Sequence, residues 1–271
     1  MPTLYVIATP IGNLEDITLR AIRILKEVKL IATEDTRKTR RLLSAYKIKT
    51  PMTSYYEHNK LTKLSYIVEQ LTNRDIALVS EAGMPGISDP GYELIAAAIK
   101  QGIAVITIPG ASAVTTALAV SGLPTDRFLF LGFLPARASA RRRILKEISG
   151  EKSTLVIYEA PHRLLAAMRD MLTELGNRRI AVCRELTKIH EEVFRGTISD
   201  ALSHFTKPRG EFTLVISGAT DKTGLKKTPD IELQMRELHR SGKSAKEAIS
   251  ILAMQTGLSR KELYRVWLQQ K

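Results

Sequence analysis

The sequence predicts an α/β protein: two α/β domains followed by a small all-helical C-terminal extension. Eight short β-rich runs alternate with amphipathic helical stretches over the first 217 residues, and Gly/Pro-rich turns fall where the runs end. After Gly218 the strand signal stops, giving way to a polar linker and a helical tail.

Taken in order, the strand-like runs are Leu4 to Ala8, Leu30 to Thr33, Ile76 to Ser80, Ala104 to Ile108, Arg127 to Gly132, Thr154 to Tyr158, Ile180 to Arg184 and Phe212 to Ser217, all short and rich in β-branched or aromatic residues. Between them, residues 17–27, 36–46, 59–72, 91–101, 138–149 and 161–175 carry apolar side chains at helical spacing. Ala111 to Ser121 is small and apolar almost throughout, which predicts a buried helix. The turn-rich break Gly122-Leu123-Pro124-Thr125-Asp126 divides the α/β part into domains at 1–121 and 122–219. In the tail, residues 229–271, Ser244-Ala245-Lys246-Glu247 and Ser259-Arg260-Lys261-Glu262 both match the capping-box pattern. With Thr256-Gly257-Leu258 as the turn, they predict two short helices in a helix-turn-helix-like hairpin, also compatible with a plain packed pair.

The chain has 271 residues, 44% hydrophobic and 25% charged, ordinary globular composition for two cores. Forty-one basic against 28 acidic residues give a formal charge of +13, which points to a polyanionic partner. The excess is regional: twelve basic against four acidic over 20–63, five against one over 135–149, and ten against five over 226–271. Arg37, Lys38, Arg40 and Arg41 follow a Glu34-Asp35-Thr36 cap, and Arg141, Arg142 and Arg143 follow Ser139. Cations in a first turn oppose the helix dipole, so these clusters read either as phosphate ligands or as arginines paired to carboxylates. No run of 18 apolar residues and no signal-peptide pattern occur, so a cytoplasmic protein without membrane association is expected. A single cysteine, Cys183, in an apolar strand reads as a buried hydrophobe, and the five histidines never come within metal-ligand spacing of each other on a helix, so no metal centre is expected.

The turns Thr9-Pro10-Ile11-Gly12-Asn13, Ser80 to Gly86, Pro109 to Ala113 and Glu159-Ala160-Pro161-His162 lie at strand carboxyl ends, where open α/β sheets bind ligands. No G-x-G-x-x-G and no G-x-x-x-x-G-K-[ST] is present, which argues against a dinucleotide fold and a P-loop NTPase.

At these loops the sequence resembles the tetrapyrrole methylase superfamily of S-adenosylmethionine-dependent methyltransferases. The matching residues are Leu4 to Leu14, Glu34-Asp35-Thr36-Arg37, Ile87-Ser88-Asp89-Pro90-Gly91, Gly132-Phe133-Leu134-Pro135, Tyr158 to Arg163 and Arg184-Glu185-Leu186-Thr187-Lys188. Within the superfamily it is most similar to the members that methylate the ribose 2′-hydroxyl of a decoding-site cytidine in 16S rRNA. The resemblance implies a cofactor cleft between the two α/β domains, a homodimer, and 16S rRNA or the small ribosomal subunit as partner. It departs from the family at Ser80-Glu81-Ala82-Gly83-Met84-Pro85, where Ser-Asp-Ala-Gly-Thr-Pro is usual. Because Gly83 and Pro85 remain, the loop is expected to act through its backbone.

Carried over position by position, the resemblance implies a cofactor pocket of Pro10, Ala82, Gly83, Met84, Ile87, Ser112, Ala113, Tyr158 and Glu159. A ribose hydroxyl needs a proton acceptor to become a nucleophile, and Asp35, Glu159 and Lys188 are the catalytic candidates, the lysine only if desolvated. Asp35 is equally readable as a helix cap, and Glu185 as the partner of a neighbouring arginine. Arg37, Arg41, His58, Arg141, Arg142 and Arg143 are the RNA-binding candidates, His58 beside tyrosines able to stack on a base. Two other readings stay open: methylation of a corrin or porphyrin carbon, which does not call for +13, and a non-catalytic RNA-binding or ribosome-associated protein.

Overall fold

The computed structural model describes residues 2–57, 59–220, 229–256 and 260–268. The capping box at Ser259, the Gly257 turn and His58 lie outside the described residues. The chain forms two compact units, Met1–Ala219 and Thr220–Lys271.

The first unit holds two five-stranded sheets. The first contains β1 (Thr3–Ile7), β2 (Leu30–Thr33), β3 (Met52–Ser54), β4 (Ile76–Val79) and β5 (Ala104–Ile108) in the order β3-β2-β4-β1-β5, all parallel. Helices α1 (Leu19–Glu27), α2 (Thr36–Ala45), α3 (Lys60–Leu71) and α4 (Tyr92–Lys100) connect these strands. A parallel sheet covered on both faces explains why its inner strands read as unbroken apolar runs. Along β4, Ala77 and Val79 join Ile24, Leu25, Leu42 and Leu43 of α1 and α2, whereas Ile76 and Leu78 join Ile67, Leu71 and Leu94 of α3 and α4.

The second sheet is mixed: β6 (Phe128–Phe133), β7 (Thr154–Glu159), β8 (Arg179–Arg184), β9 (Glu192–Thr197) and β10 (Phe212–Ile216) in the order β6-β7-β10-β8-β9, with only β6 and β7 parallel. One face packs on α6 (Ala138–Glu147), α7 (Leu164–Leu175) and α8 (Ile198–His204), burying Leu145, Met168, Met171 and Ala201 against Leu155, Ile157, Val182 and Leu214. The other face takes α5 (Ala113–Ser121): Val114, Ala117 and Leu118 pack on Val156, Ala181, Cys183 and Val215. The buried helix expected from composition therefore belongs by packing to the second sheet, and Ile11 of the β1 loop joins the same cluster. This shared core brings the carboxyl ends of β1, β4 and β5 up to the second sheet. Cys183 is buried there, and desolvation pushes its thiol up to about 11, so it is an inert hydrophobe.

The second unit is α9 (Pro229–Arg240), α10 (Ala245–Thr256) and α11 (Arg260–Leu268), closed on a core of Ile231, Met235, Ala248, Ile249, Leu252 and Leu263. Ser244 caps α10 as its pattern predicts: its N–H and Oγ–H donate to Glu247 Oε2 at 2.9 and 2.8 Å, and Glu247 N–H returns a 3.4 Å bond. No helix among the described residues is long and apolar enough to cross a membrane.

Candidate active site

Three loops of the first sheet are joined before any ligand arrives. Thr9 and Gly83 exchange backbone hydrogen bonds of 2.9 and 3.0 Å, Ala8 N–H donates to Ile108 O at 3.1 Å, and Ser80 Oγ–H bridges the carbonyls of Ala82 and Gly83 at 3.3 Å. Gly83 sits at φ +82°, the left-handed region where a side chain is strained. Gly83→Val is therefore expected to keep the fold, cost about 1–3 kcal/mol in stability and weaken ligand binding at this loop roughly tenfold. Calorimetric titration of wild type and variant with S-adenosylmethionine checks this; equal affinities would remove the loop from the site.

Above these loops lies a cavity of about 350 Å³, within the range of small-ligand sites. Ile11, Ala82, Ala113 and Phe133 give it apolar walls, and Ser112 with Ala113 brings in the first turn of α5. Phe130 and Phe133 pack on Tyr158 with centroids 5.0 and 5.5 Å away, and burial, with Asp89 nearby, pushes that phenol up to about 12. Five carboxylates border the space: Glu34, Glu81, Asp89, Glu159 and Glu211, the last paired with Lys188. Burial, reinforced by Glu34 and Glu81, raises Asp89 to about 7 against one opposing hydrogen bond from Ser80. Glu34 is likewise raised by burial, and its Oε2 is buried without a hydrogen-bond partner among the described residues. Glu159 is raised by burial although Ala160 N–H and Arg163 oppose the shift.

The cofactor set read from the sequence is thus largely gathered in one place: Ala82, Gly83, Met84, Ile87, Ser112, Ala113, Tyr158 and Glu159 all line the cavity. At the β1 loop Ile11 contributes in place of the neighbouring Pro10. Both departures from the family loop are accommodated: Glu81 pairs with Lys38 of α2, and Met84 packs on the core beneath β4. Sequence reasoning passed over Glu34 and Asp89, which stand one and two residues from positions it chose. The signal available for Asp89 was a lone carboxylate in a Gly/Pro-rich loop at a strand carboxyl end.

The catalytic candidates separate cleanly. Asp35 is the N-cap of α2, accepting the N–H groups of Arg37 and Lys38 at 2.8 and 3.3 Å, and those bonds hold its carboxyl low. Lys188 lies outside the cavity, its Nζ 2.9 Å from both Glu185 and Glu211. Burial alone would lower that ammonium, but the two carboxylates outweigh it and hold its pKa above the usual value, so it is no base. Of the three, Glu159 alone borders the cavity. A second, more open groove beside the Lys188 network runs between Gly12–Glu15 and residues 185–190. Gly12 makes this packing possible, since a Cβ there would stand 2.5 Å from Lys188 Cγ.

Among the RNA-binding candidates, Arg141 is corrected. Its guanidinium is only 4% exposed, donates from Nε to Asp170 Oδ2 at 2.8 Å and also bonds the Ala136 carbonyl at 3.1 Å. It is a buried ion-pair member with nothing left for a phosphate. Arg142 shares Asp170 at 2.6 Å but stays more than half exposed, and Arg143 and Arg41 face solvent. Arg37 is also open to solvent, held 3.4 Å from Asp35. Among the described residues no cluster of three His, Cys, Asp or Glu side chains is arranged to hold a metal.

A family model described as Tetrapyrrole (Corrin/Porphyrin) Methylases matches residues 3–202. "Ribosomal RNA small subunit methyltransferase I" of Halalkalibacterium halodurans is 48% identical, with 99% of this chain and 95% of that protein covered. The protein of the same name in Thermotoga maritima is 49% identical and is covered over 99% of its length by 80% of this chain. Among solved structures, a diphthine synthase superposes with a TM-score of 0.63 at 14% identity, over 81% of this chain and 91% of that one, which shows the shared fold. The family implies S-adenosylmethionine as methyl donor, and a cavity with apolar walls and five carboxylates suits a ligand that carries a sulfonium cation. The chain belongs to the tetrapyrrole (corrin/porphyrin) methylases.

Proposed function

We propose that this protein transfers the methyl group of S-adenosylmethionine to the ribose 2′-hydroxyl of a decoding-site cytidine in 16S rRNA. The observation that carries the reading is the near full-length similarity to proteins named for small-subunit ribosomal RNA methylation. The regional basic charge supports it: α2, whose Lys38 pairs with the cavity-lining Glu81, carries Arg37, Arg40 and Arg41 exposed to solvent.

When bound, the donor supplies an electrophilic methyl on sulfur. The loops after β1, β4 and β5 would hold it by backbone and apolar contact, and Asp89 and Glu34 would supply negative charge toward its cation. Phe133 and Tyr158 pack together as one aromatic wall of the cavity, and positioning of a bound donor accounts for much of the rate of a displacement. Glu159, desolvated and raised, is the candidate that can take the hydroxyl proton.

Incubation with methyl-labelled donor and small subunits, 16S rRNA or a tetrapyrrole tests the assignment. Label is expected in RNA, within an alkali-resistant cytidine dinucleotide, because a methylated 2′-oxygen cannot attack the adjacent phosphate. Label in the tetrapyrrole alone would establish the alternative, and no transfer would favour a binding protein.

The family also implies a homodimer, and one edge fits that arrangement. β5 ends the first sheet with the uncharged run Ala104-Val105-Ile106-Thr107-Ile108, of which only Ile108 is buried. Such an edge invites pairing unless covered. Sedimentation is expected to show twice the chain mass for wild type, and a smaller species for Ile106→Lys.

A further inference from the structure

We propose that the groove between α10 and α11 is an RNA-binding site of the helical unit, taking an unpaired nucleotide and its flanking phosphates. The inference rests on the RNA reading above and adds a site to it. The groove encloses about 670 Å³ and is lined by Ala245, Lys246, Ile249, Ser250, Arg260, Tyr264 and Arg265. Its composition is divided. Ala245, Ile249 and the ring of Tyr264 give an apolar surface, while Lys246, Arg260 and Arg265 surround it with exposed cations.

None of the three cations has a carboxylate partner among the described residues, in contrast to Arg23, Arg141, Arg163 and Lys188 of the first unit. The neighbouring carboxylate of Glu247 is committed to the Ser244 cap. Tyr264 is half exposed although the adjacent Leu263 is fully buried, so the core does not need its ring. An aromatic face beside unpaired cations matches an unstacked base with its phosphates. A duplex offers phosphates but no free base face, which makes single-stranded RNA the better fit.

The comparisons support reading this unit as an addition to the methylase. The Thermotoga maritima relative is covered almost completely by 80% of this chain, and the remaining fifth is the size of the helical unit. The family model ends at residue 202, before this unit begins. An added module carrying unpaired cations suits a role in substrate affinity rather than in chemistry.

Binding of the full-length protein to a labelled single-stranded 20-nucleotide RNA, the corresponding duplex and vesicles containing phosphatidylserine decides the matter. Lys246→Glu/Arg260→Glu/Arg265→Glu is expected to weaken single-strand binding roughly 10- to 100-fold. The log–log salt slope should fall by about 2, at ~0.7 per lost phosphate contact. Tyr264→Ala is expected to lose about tenfold on the single strand and little on the duplex. Donor affinity should be unchanged in both, and Lys246→Gln/Arg265→Gln replaces the triple variant if its helical signal is lost. Unchanged RNA affinity and slope would overturn the proposal, as would vesicle binding that depends on these cations without RNA binding. If wild type methylates RNA while the variants bind it normally, only this inference fails. Absence of RNA methylation by wild type instead removes the reading beneath it.

Discussion

Arg141→Met is expected to lower the unfolding free energy by about 3 kcal/mol, the low end of the cost of breaking a buried ion pair. At this chain size that moves Tm down by roughly 6–12 °C. The guanidinium is buried against Asp170, itself only 3% exposed, and also donates to the carbonyls of Pro135 and Ala136. Removing it leaves the Pro135 and Ala136 carbonyls without that donor and the buried Asp170 with Arg142 as its remaining partner. That second arginine keeps the loss from reaching the upper end of the range. Burial alone would raise Asp170, yet the bonds from Arg142 and Arg141 outweigh it and hold the folded carboxyl below its ordinary value. The stabilisation is therefore present above the unfolded carboxylate range and lost as pH falls through the folded one, so wild type and variant should converge in acid. Arg143→Glu, on the open side of the same helix, should change stability by no more than about 0.5 kcal/mol. Thermal melts at pH 7 and pH 3 check both; an Arg141→Met protein melting within 2 °C of wild type at pH 7 would contradict the buried pair.

Arg141 also shows where sequence reading stops. Three consecutive arginines span about 200° around a helix, and only the tertiary position of Asp170 on α7 shows that the first of them faces inward. The three-residue edge strand β3 was missed, whereas β1, β2, β4 and β5 were legible as short apolar, β-branched runs. β9 was not: Glu192-Val193-Phe194-Arg195-Gly196-Thr197 is an edge strand paired only with β8, and its composition resembles a loop. α8 follows at once and spans seven residues, too short for a period, although its Thr197/Asp200 capping box was present to be read. In the cavity, the lining positions on the glycine-rich loops could be named through the family resemblance. Glu34 and Asp89 could not, because their roles depend on how far each is desolvated, which the other sheet determines.

Asp89→Asn should weaken S-adenosylmethionine binding about a hundredfold at pH 8 and far less at pH 6. In wild type the carboxyl titrates near 7, raised first by burial and then by the neighbouring Glu34 and Glu81. A cationic ligand favours the ionised form, so wild-type affinity should climb by up to about tenfold per pH unit below 7 and level off above it. Asparagine cannot ionise, and its profile should flatten across that interval. Stability should move the other way. A carboxyl whose folded pKa lies above its unfolded value of 3.8 contributes its stabilisation below that value and loses it as pH rises through about 7. In the absence of ligand the variant should accordingly melt several degrees higher than wild type at pH 8, and with it at pH 4. Calorimetric titrations at pH 6, 7 and 8, in buffers of different ionisation heat, would also show proton release on binding in wild type and its reduction in the variant. A flat wild-type profile, or equal affinities at pH 8, would place the positive charge of the donor against another carboxylate, with Glu34 the next to test. The burial that makes Asp89 costly to the empty protein is the same burial that makes its charge effective toward a cation, since both follow from a poorly solvated wall.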